Sequence, residues 1–253
     1  MFSLAEGGKL EIRAELSGRD VHVWTLPTQV ADSVALKFEA VLSPDEKDRA
    51  ARFRFDHLRR SFVVARGALR SLLGRYLGIR PASLHFHYGS KGKPALASPA
   101  PIDFNATHSG DLAAFAFIVG CQIGIDVELI RPLDEMKEIA GRFFCPNETT
   151  EILSLEPTAR ERAFFCCWTR KEAYIKAIGD GLSAPLYEFR VTVQPHELPR
   201  IIHLAHDMTD AKAWTLHDLR LAPDYAGAIA YRGLRRSLSV FPILDPTEFH
   251  DTR

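Results

Sequence analysis

An α+β fold is predicted by the order of the patterns along this 253-residue chain. Apolar residues at helical spacing are followed by short runs that alternate apolar and polar residues, and this succession occurs twice. The composition is that of a folded globular protein, with 46% hydrophobic and 25% charged residues. We therefore expect helices and strands in two parts that pack closely together.

The first part is predicted to start with a strand and to continue with two helices. Residues 20–26 alternate apolar and polar side chains, which is typical of a strand. Ser43 can cap a helix that has Pro44 at its first position. Residues 59–77 place apolar side chains on one helical face and arginines on the other, so they predict an amphipathic, basic helix.

Three further strands are predicted around the middle of the chain. They cover about residues 84–88, 112–119 and 122–128, and a turn at residues 91–94 follows the first of them. Gly120 separates the second strand from the third. Since the succession of helices and strands starts again after this glycine, we expect the boundary between the two parts here.

The second part is predicted to repeat the order of the first. Helices are expected at about residues 134–143 and 160–178, and residues 179–181 end the second helix. No linker rich in proline or serine lies between the parts, so we divide the chain into residues 1–121 and 122–253. Strands of a closing sheet are then expected at residues 187–193, 201–204, 213–221 and 226–231.

Charge and cysteine content exclude several classes of protein. Lys and Arg number 32 and Asp and Glu number 32, so there is no overall attraction to nucleic acid or to an anionic membrane. The four cysteines lack CxxC spacing and are expected to be buried thiols in a reducing compartment. The first residues do not resemble a signal peptide, and the apolar run at 112–119 is too short to cross a bilayer. We expect a cytoplasmic protein.

Two carboxylates stand two residues apart in the strand predicted at 122–128. Asp126 and Glu128 then project from one face, while Ile125 and Val127 face the core. Two carboxylates this close repel each other unless a cation or a proton lies between them, and Mg²⁺ prefers such hard oxygen ligands. An edge strand with a solvated acidic face remains the alternative.

A second group of polar residues lies on the helix predicted at 160–178. Trp168, Glu172 and Lys176 share one side at helical spacing, and Glu172 followed by Lys176 is the favourable order for an ion pair. The neighbouring apolar residues indicate a partly buried carboxylate, which needs a partner. A solvated surface pair is the alternative.

Two shorter segments carry groups that can bind an anion. His108 stands between the hydroxyl residues Thr107 and Ser109, and it can donate to a phosphate oxygen. Lys93 follows Gly92 in the turn at 91–94, where a cation and backbone N–H groups approach an anion together. A surface histidine and a solvated loop are the alternatives.

Taken in order, these segments resemble the 4′-phosphopantetheinyl transferase superfamily, specifically its longer Sfp-type branch. The resemblance rests on G-K-P at 92–94, N-x-T-H-S-G at 105–110, G-I-D-V-E at 124–128 and W-x-x-K-E-A-x-x-K at 168–176. It covers about residues 43–193.

The resemblance implies a fold of two similar halves related by a pseudo-twofold axis, with the active site in the cleft between them. It also implies Mg²⁺-dependent transfer of phosphopantetheine from coenzyme A to a serine of an apo acyl, polyketide or peptidyl carrier protein, with release of 3′,5′-ADP. A monomer without nucleic-acid or membrane partners is expected. Residues 1–121 would bind the coenzyme A phosphates, and residues 122–253 would carry the metal-binding acids.

The same resemblance assigns roles to individual residues. Asp126, Glu128 and Glu172 would bind the metal. Independently of the resemblance, the transfer needs a base for the serine proton, and Glu172, or a metal-bound water that it orients, is expected to serve because it lies beside Lys176 on the helix. Catalysis would further use Lys176 and His108. Coenzyme A would be bound by Lys93, Thr107, His108 and Lys176, with Arg66, Arg49 and Arg60 at its 3′-phosphate.

Two other functions use the same residues. A Mg²⁺-dependent phosphohydrolase would use the three acids to cleave a nucleotide with water, without a carrier protein. A non-catalytic module of this fold would bind carrier proteins only, and the presence of all three acids argues against it.

Overall fold

The computed structural model describes residues 15–89, 91–179, 185–205 and 210–243. Within these ranges the chain forms six α-helices and eleven β-strands. The helices are α1 (Asp32–Ala40), α2 (Pro44–Ala51), α3 (Asp56–Leu77), α4 (Met136–Phe143), α5 (Pro146–Ser154) and α6 (Pro157–Ile178). The strands are β1 (Asp20–Pro27), β2 (Phe86–Tyr88), β3 (Pro94–Leu96), β4 (Ile102–Ser109), β5 (Leu112–Val119), β6 (Ile123–Leu129), β7 (Phe189–Val191), β8 (Ile201–Leu204), β9 (Trp214–Asp218), β10 (Tyr225–Arg232) and β11 (Ser237–Pro242).

The order of elements repeats. One strand, three helices and four strands make up β1 to β5, and the same series makes up β6 to β10. In the first unit the main sheet has the order β1-β5-β4, and in the second the order β6-β10-β9, with antiparallel neighbours in both. The mixed α+β class predicted from the sequence is confirmed, and so is its twofold succession of helices and strands.

A buried ion pair occupies the same place in each unit. The third residue of the second helix is a glutamate that accepts the N–H of the residue before that helix, and this glutamate is Glu46 in α2 and Glu148 in α5. Arg70 Nε lies 2.6 Å from Glu46, and Lys171 Nζ lies 2.8 Å from Glu148. Both cations occupy the same position in 22-residue helices, and all four side chains are almost fully buried.

The last described strand departs from the predicted division of the chain. Residues 122–253 were assigned to the second part, but β11 pairs in parallel with β1 of the first unit. Phe241 stacks on Trp24 with their ring centroids 4.5 Å apart, so this strand covers an apolar edge of the first sheet. The boundary near Gly120 therefore separates the repeated elements, whereas the end of the chain returns to the first unit.

The second-half strands also differ from the single closing sheet that the sequence predicted. β9 and β10 join β6, but β7 and β8 form a separate two-stranded sheet. The backbone of β7 is held by the buried ion pair, because Val191 N–H donates to Glu148 and Lys171 donates to the carbonyl of Phe189. Gly179 ends α6 in the left-handed conformation as predicted, and residues 180 and 181 lie outside the described ranges.

Helix α6 lies directly against β6 and β10. A Cβ atom on Gly124 would stand 2.0 Å from the carbonyl oxygen of Ala173, so only glycine permits this approach. The contact fixes the acidic strand β6 against the helix that carries Glu172 and Lys176. Among the helices of the described ranges, none combines the length and the apolar character that crossing a bilayer requires.

Candidate functional site

A cavity of about 500 Å³ lies between the two units. The turn before β3 and the strand β4 line it from the first unit, and β6 and α6 line it from the second. It brings together seven of the residues predicted for the site, which are Lys93, Thr107, His108, Asp126, Glu128, Glu172 and Lys176.

The two acids of β6 reach this cavity while their neighbours pack in the core. Ile125 and Val127 are fully buried, as predicted from the alternation of the strand. Asp126 is only 3% exposed, so the solvated acidic face considered above does not describe it. Thr107 Oγ1 donates to Asp126 Oδ1 at 3.2 Å.

Strand β4 is joined to β6 by side chains. The two are edge strands of different sheets. Asn105 Oδ1 accepts the N–H of Ile125 at 3.0 Å, and Ser109 Oγ accepts the N–H of Leu129 at 3.1 Å. Ser109 also donates to Glu128 Oε2 at 2.7 Å. Sequence reasoning did not assign Asn105 and Ser109 a role, although polar residues at every second position of a strand were the available signal.

Helix α6 supplies the third acid and a cation. Glu172 is 5% exposed, which confirms the predicted burial of its carboxylate. The predicted ion pair between Glu172 and Lys176 is replaced by another, because Lys176 Nζ lies 2.6 Å from Asp126 Oδ1 and 3.2 Å from Thr107 Oγ1. The close approach of the helix to β6 at Gly124 places the lysine beside the strand, where a buried carboxylate and a hydroxyl are its partners.

The environment of the three acids favours an added cation or proton. Burial, followed by the charge of Asp126, raises the pKa of Glu172 to about 7. Burial also raises the pKa of Asp126 and that of Glu128 above their ordinary values. Asp126 Oδ2 and Glu172 Oε1 are buried and accept no hydrogen bond. Three carboxylates, two of which have an oxygen free of hydrogen bonds, are suitable ligands for a hard divalent cation.

The three acids share the cavity without forming a finished metal centre. Within the described ranges, no three or more His, Cys, Asp or Glu side chains stand close enough together to hold an ion as they are. Asp126 is paired with Lys176, and Glu128 accepts a hydrogen bond from Ser109. Binding of a metal would therefore require the carboxylates to rotate until their oxygens, including the free Asp126 Oδ2 and Glu172 Oε1, face one point.

His108 and Trp168 complete the wall of the cavity. Loss of hydration, followed by the charge of Lys176, lowers the pKa of His108 below its ordinary value. Its ring can then donate one hydrogen bond in the neutral form. Trp168 packs edge-on against Phe143 and stacks on Phe164, which gives the cavity a rigid aromatic side.

Lys93 enters the cavity from the first unit, but its ammonium group is turned to backbone carbonyls. Nζ donates to the carbonyl oxygen of Lys176 at 2.6 Å and to that of Ile123 at 3.1 Å. Burial lowers its pKa to about 8, although the charge of Asp103 acts in the opposite direction. A contact between this ammonium and a phosphate stays a prediction.

The arginines assigned to a 3′-phosphate do not line this cavity. Arg49 and Arg66 lie over the ring of Phe62, with guanidinium carbons 5.2 and 5.9 Å from its centroid. Arg60 pairs with Asp32 at 2.6 Å. Their assignment to coenzyme A therefore remains a prediction from the resemblance.

Comparisons with known proteins match both units of the chain to one family. Residues 122–230 match the family model of the 4′-phosphopantetheinyl transferase superfamily, and residues 27–119 match that of the 4′-phosphopantetheinyl transferase N-terminal region. The 4′-phosphopantetheinyl transferase HetI of Nostoc sp. is 41% identical over 208 residues, which cover 81% of this chain and 84% of HetI.

A more distant relative and a solved structure were also found. The 4′-phosphopantetheinyl transferase Sfp of Bacillus subtilis is 30% identical over 155 residues, which cover 61% of this chain and 68% of Sfp. Holo-[acyl-carrier-protein] synthase of Thermotoga maritima is 20% identical with a TM-score of 0.35, over 45% of this chain and 64% of that one. Because HetI is matched along most of both chains and the family models fall on both units, this chain belongs to the 4′-phosphopantetheinyl transferase superfamily and is a transferase.

Proposed function

We propose that this transferase moves 4′-phosphopantetheine from coenzyme A to a serine of an apo acyl, polyketide or peptidyl carrier protein. The observation that carries the proposal is the single cavity that holds three carboxylates, Lys176 and His108 between the two units. The serine oxygen forms a bond to the phosphorus that bears pantetheine, and the bond from that phosphorus to the bridging oxygen breaks. The products are the holo carrier protein and 3′,5′-ADP.

Asp126, Glu128 and Glu172 are the residues that would hold Mg²⁺. When bound, the ion neutralises charge on the phosphate oxygens. Lys176 and His108 donate to the pyrophosphate of coenzyme A, which supplies fixed positive charge and dipoles where negative charge accumulates. Thr107 would join them when its hydroxyl releases Asp126 Oδ1.

Glu172 is the proposed acceptor of the serine proton. Burial, followed by the charge of Asp126, raises its pKa to about 7, and a cation held by the three acids would lower this pKa again. Its Oε1 accepts no hydrogen bond within the protein and is therefore free to accept one from a hydroxyl.

We further propose that the two units are halves related by a pseudo-twofold axis, with coenzyme A in the cleft between them. The repeated order of elements and the matched buried ion pairs support this arrangement. Residues 1–121 would bind coenzyme A phosphates, and residues 122–232 would carry the acids. Because all four cysteines are unpaired, we expect the protein to act in the cytoplasm, and we expect a monomer because one chain supplies both halves.

The test is transfer onto a panel of apo acyl, polyketide and peptidyl carrier proteins. The chain is incubated with coenzyme A and Mg²⁺, and the mass of each carrier is measured. We expect at least one carrier to gain one phosphopantetheine, and excess EDTA to abolish the gain. Release of 3′,5′-ADP without a carrier would instead indicate a phosphohydrolase, and carrier binding without a mass gain would indicate a non-catalytic module.

Glu172→Gln separates the base from the metal ligand. The amide keeps one oxygen but accepts no proton, so the rate should fall by about a hundredfold at every Mg²⁺ concentration. Recovery of the rate at high Mg²⁺ would show that Glu172 serves only as a ligand.

A further inference from the structure

We propose that Lys93 is a positioning residue that fastens the end of α6 to the start of β6, and thereby sets the spacing of the acids carried by these two elements. The proposal deepens the function proposed above and rests on it for its kinetic part. Its structural part, that the Lys93 ammonium group joins α6 to β6, does not depend on that function.

The contacts of Lys93 join three elements. The lysine belongs to the turn of the first unit, while both of its close acceptors belong to the second. The carbonyl of Lys176 lies in the last turn of α6, and the carbonyl of Ile123 is at the first residue of β6. A third carbonyl, that of Ala177, lies at 3.5 Å.

The end of a helix is where such a cation has most effect. The last four carbonyls of a helix have no partner within it, and they carry the negative end of the helix dipole. Lys176 and Ala177 are two of these last residues, because α6 ends at Ile178. An ammonium group from another unit therefore satisfies acceptors that α6 cannot satisfy itself.

The two carbonyls that Lys93 binds belong to residues near the acids. The side chain of Lys176 bonds Asp126, and Glu172 stands one turn earlier on the same helix. Ile123 begins the strand in which Asp126 and Glu128 lie. Holding the two carbonyls on one nitrogen therefore limits how far helix and strand can slide past each other.

Each N–H donor of the Lys93 ammonium group also has an acceptor nearby. An ammonium group has three N–H donors, and three carbonyl oxygens lie within 3.5 Å of Nζ. A phosphate bound by this nitrogen would have to displace one of them. Lys93 thus acts through α6 and β6 rather than as a ligand of the substrate.

The test compares Lys93→Met with Lys93→Arg. Methionine keeps the apolar stem without the donors, whereas arginine keeps a cation with donors. For Lys93→Met we expect kcat to fall by about a hundredfold, as for a misplacement of about 1 Å, while the KM for coenzyme A changes by less than about threefold. Lys93→Arg should recover a measurable part of kcat. The control is Lys47→Met, which removes an exposed lysine of α2 and should leave both constants unchanged.

Hydrogen exchange gives a readout that does not need activity. In Lys93→Met the amides of residues 172–179 and 123–129 should exchange about tenfold faster or more, with or without coenzyme A. Unchanged exchange would overturn the proposal, and so would a tenfold higher KM with an unchanged kcat, which would make Lys93 a phosphate ligand.

The two proposals fail in different ways. If the unchanged chain modifies no carrier, the proposed function fails, and the exchange experiment still decides the role of Lys93. If Lys93→Met loses its cooperative thermal transition, Lys93→Arg decides alone. Faster exchange of residues 172–179 and 123–129 with a reduced kcat and an unchanged KM would then support positioning, because arginine alters the geometry of the donors. Wild-type exchange or a raised KM alone would refute it.

Discussion

At the scale of single residues, each acid of β6 takes its partner from another element: Lys176 of α6 pairs with Asp126, and Ser109 of β4 donates to Glu128. Asp126 and Glu128 could be predicted because the period of a strand places them on one face. The pairing of Lys176 with Asp126 could not, since it depends on how closely α6 approaches β6. The contacts of Lys93 likewise depend on how the two units dock, which no local pattern encodes.

Because His217 is buried, we expect the protein to become less stable toward unfolding at acidic pH. His217 is 6% exposed, and its Nε2 lies 3.0 Å from the hydroxyl of Tyr231. Burial, followed by the charge of Arg235, lowers its pKa from 6.5 to about 4. Between these pH values the unfolded chain binds the proton and the folded chain does not, so stability falls as the pH falls.

The expected loss from His217 is roughly 3 kcal/mol in the free energy of unfolding between pH 7 and pH 4. Urea denaturation of the wild type and of His217→Gln at both pH values isolates this part, because all other groups titrate in both proteins. Equal losses in the two proteins would show that His217 does not contribute.

At the scale of elements, strongly periodic segments were predicted and mixed ones were missed. The helices α3 and α6 and the strands β1 and β5 lie where their patterns indicate. Strand β4 was not predicted, because its polar residues at alternate positions face another sheet rather than solvent. The elements α1, α5, β3 and β11 likewise have no clear pattern in the sequence and were not predicted.

The packing of α6 on β6 predicts a large effect of one methyl group. Gly124→Ala would place a Cβ atom 2.0 Å from the carbonyl oxygen of Ala173 and 2.4 Å from the nitrogen of Ala177, both of them backbone atoms. We expect the free energy of unfolding to fall by about 3 kcal/mol or more.

The matched control for Gly124→Ala is Gly141→Ala. Gly141 lies in α4, where an added Cβ meets nothing within 4 Å, so alanine should stabilise the protein by up to about 1 kcal/mol. Both variants are measured by urea denaturation. Equal stabilities would mean that β6 can move away from the helix without cost.

At the scale of the whole molecule, the sequence predicts the repeated order of elements but not the buried ion pair that repeats with it. The cation of the buried pair is Arg70 in one unit and Lys171 in the other. Each unit thus keeps the charge, the place and the burial of the group, while the residue type changes. Comparison of letters misses such a match, because what is retained is a physical role.

The two buried pairs predict costs of different size. Lys171→Met leaves the Glu148 charge buried without its partner, which should lower the free energy of unfolding by about 3 to 5 kcal/mol. Arg70→Met should cost less, because Arg66 Nε also lies 3.6 Å from Glu46. Glu148→Gln combined with Lys171→Met should recover a large part of the loss expected for Lys171→Met alone. Thermal and urea denaturation measure these effects.

The control for the buried pairs is an exposed one. Arg59 lies 3.3 Å from Glu39 with 44% and 34% of the side chains exposed, and Arg59→Met should cost less than about 1 kcal/mol. A comparable cost at the exposed and buried pairs would contradict the role given to burial.

The side-chain seam between β4 and β6 has a mechanical consequence. Backbone hydrogen bonds between paired strands keep the strands in register. The side-chain hydrogen bonds of Asn105, Thr107 and Ser109 are less restrictive, because these side chains can rotate. Two of these hydroxyls also steer Asp126 and Glu128. Because these bonds cross from one unit to the other, even a small shift of β4 along β6 would change the hydrogen bonding of both acids at once.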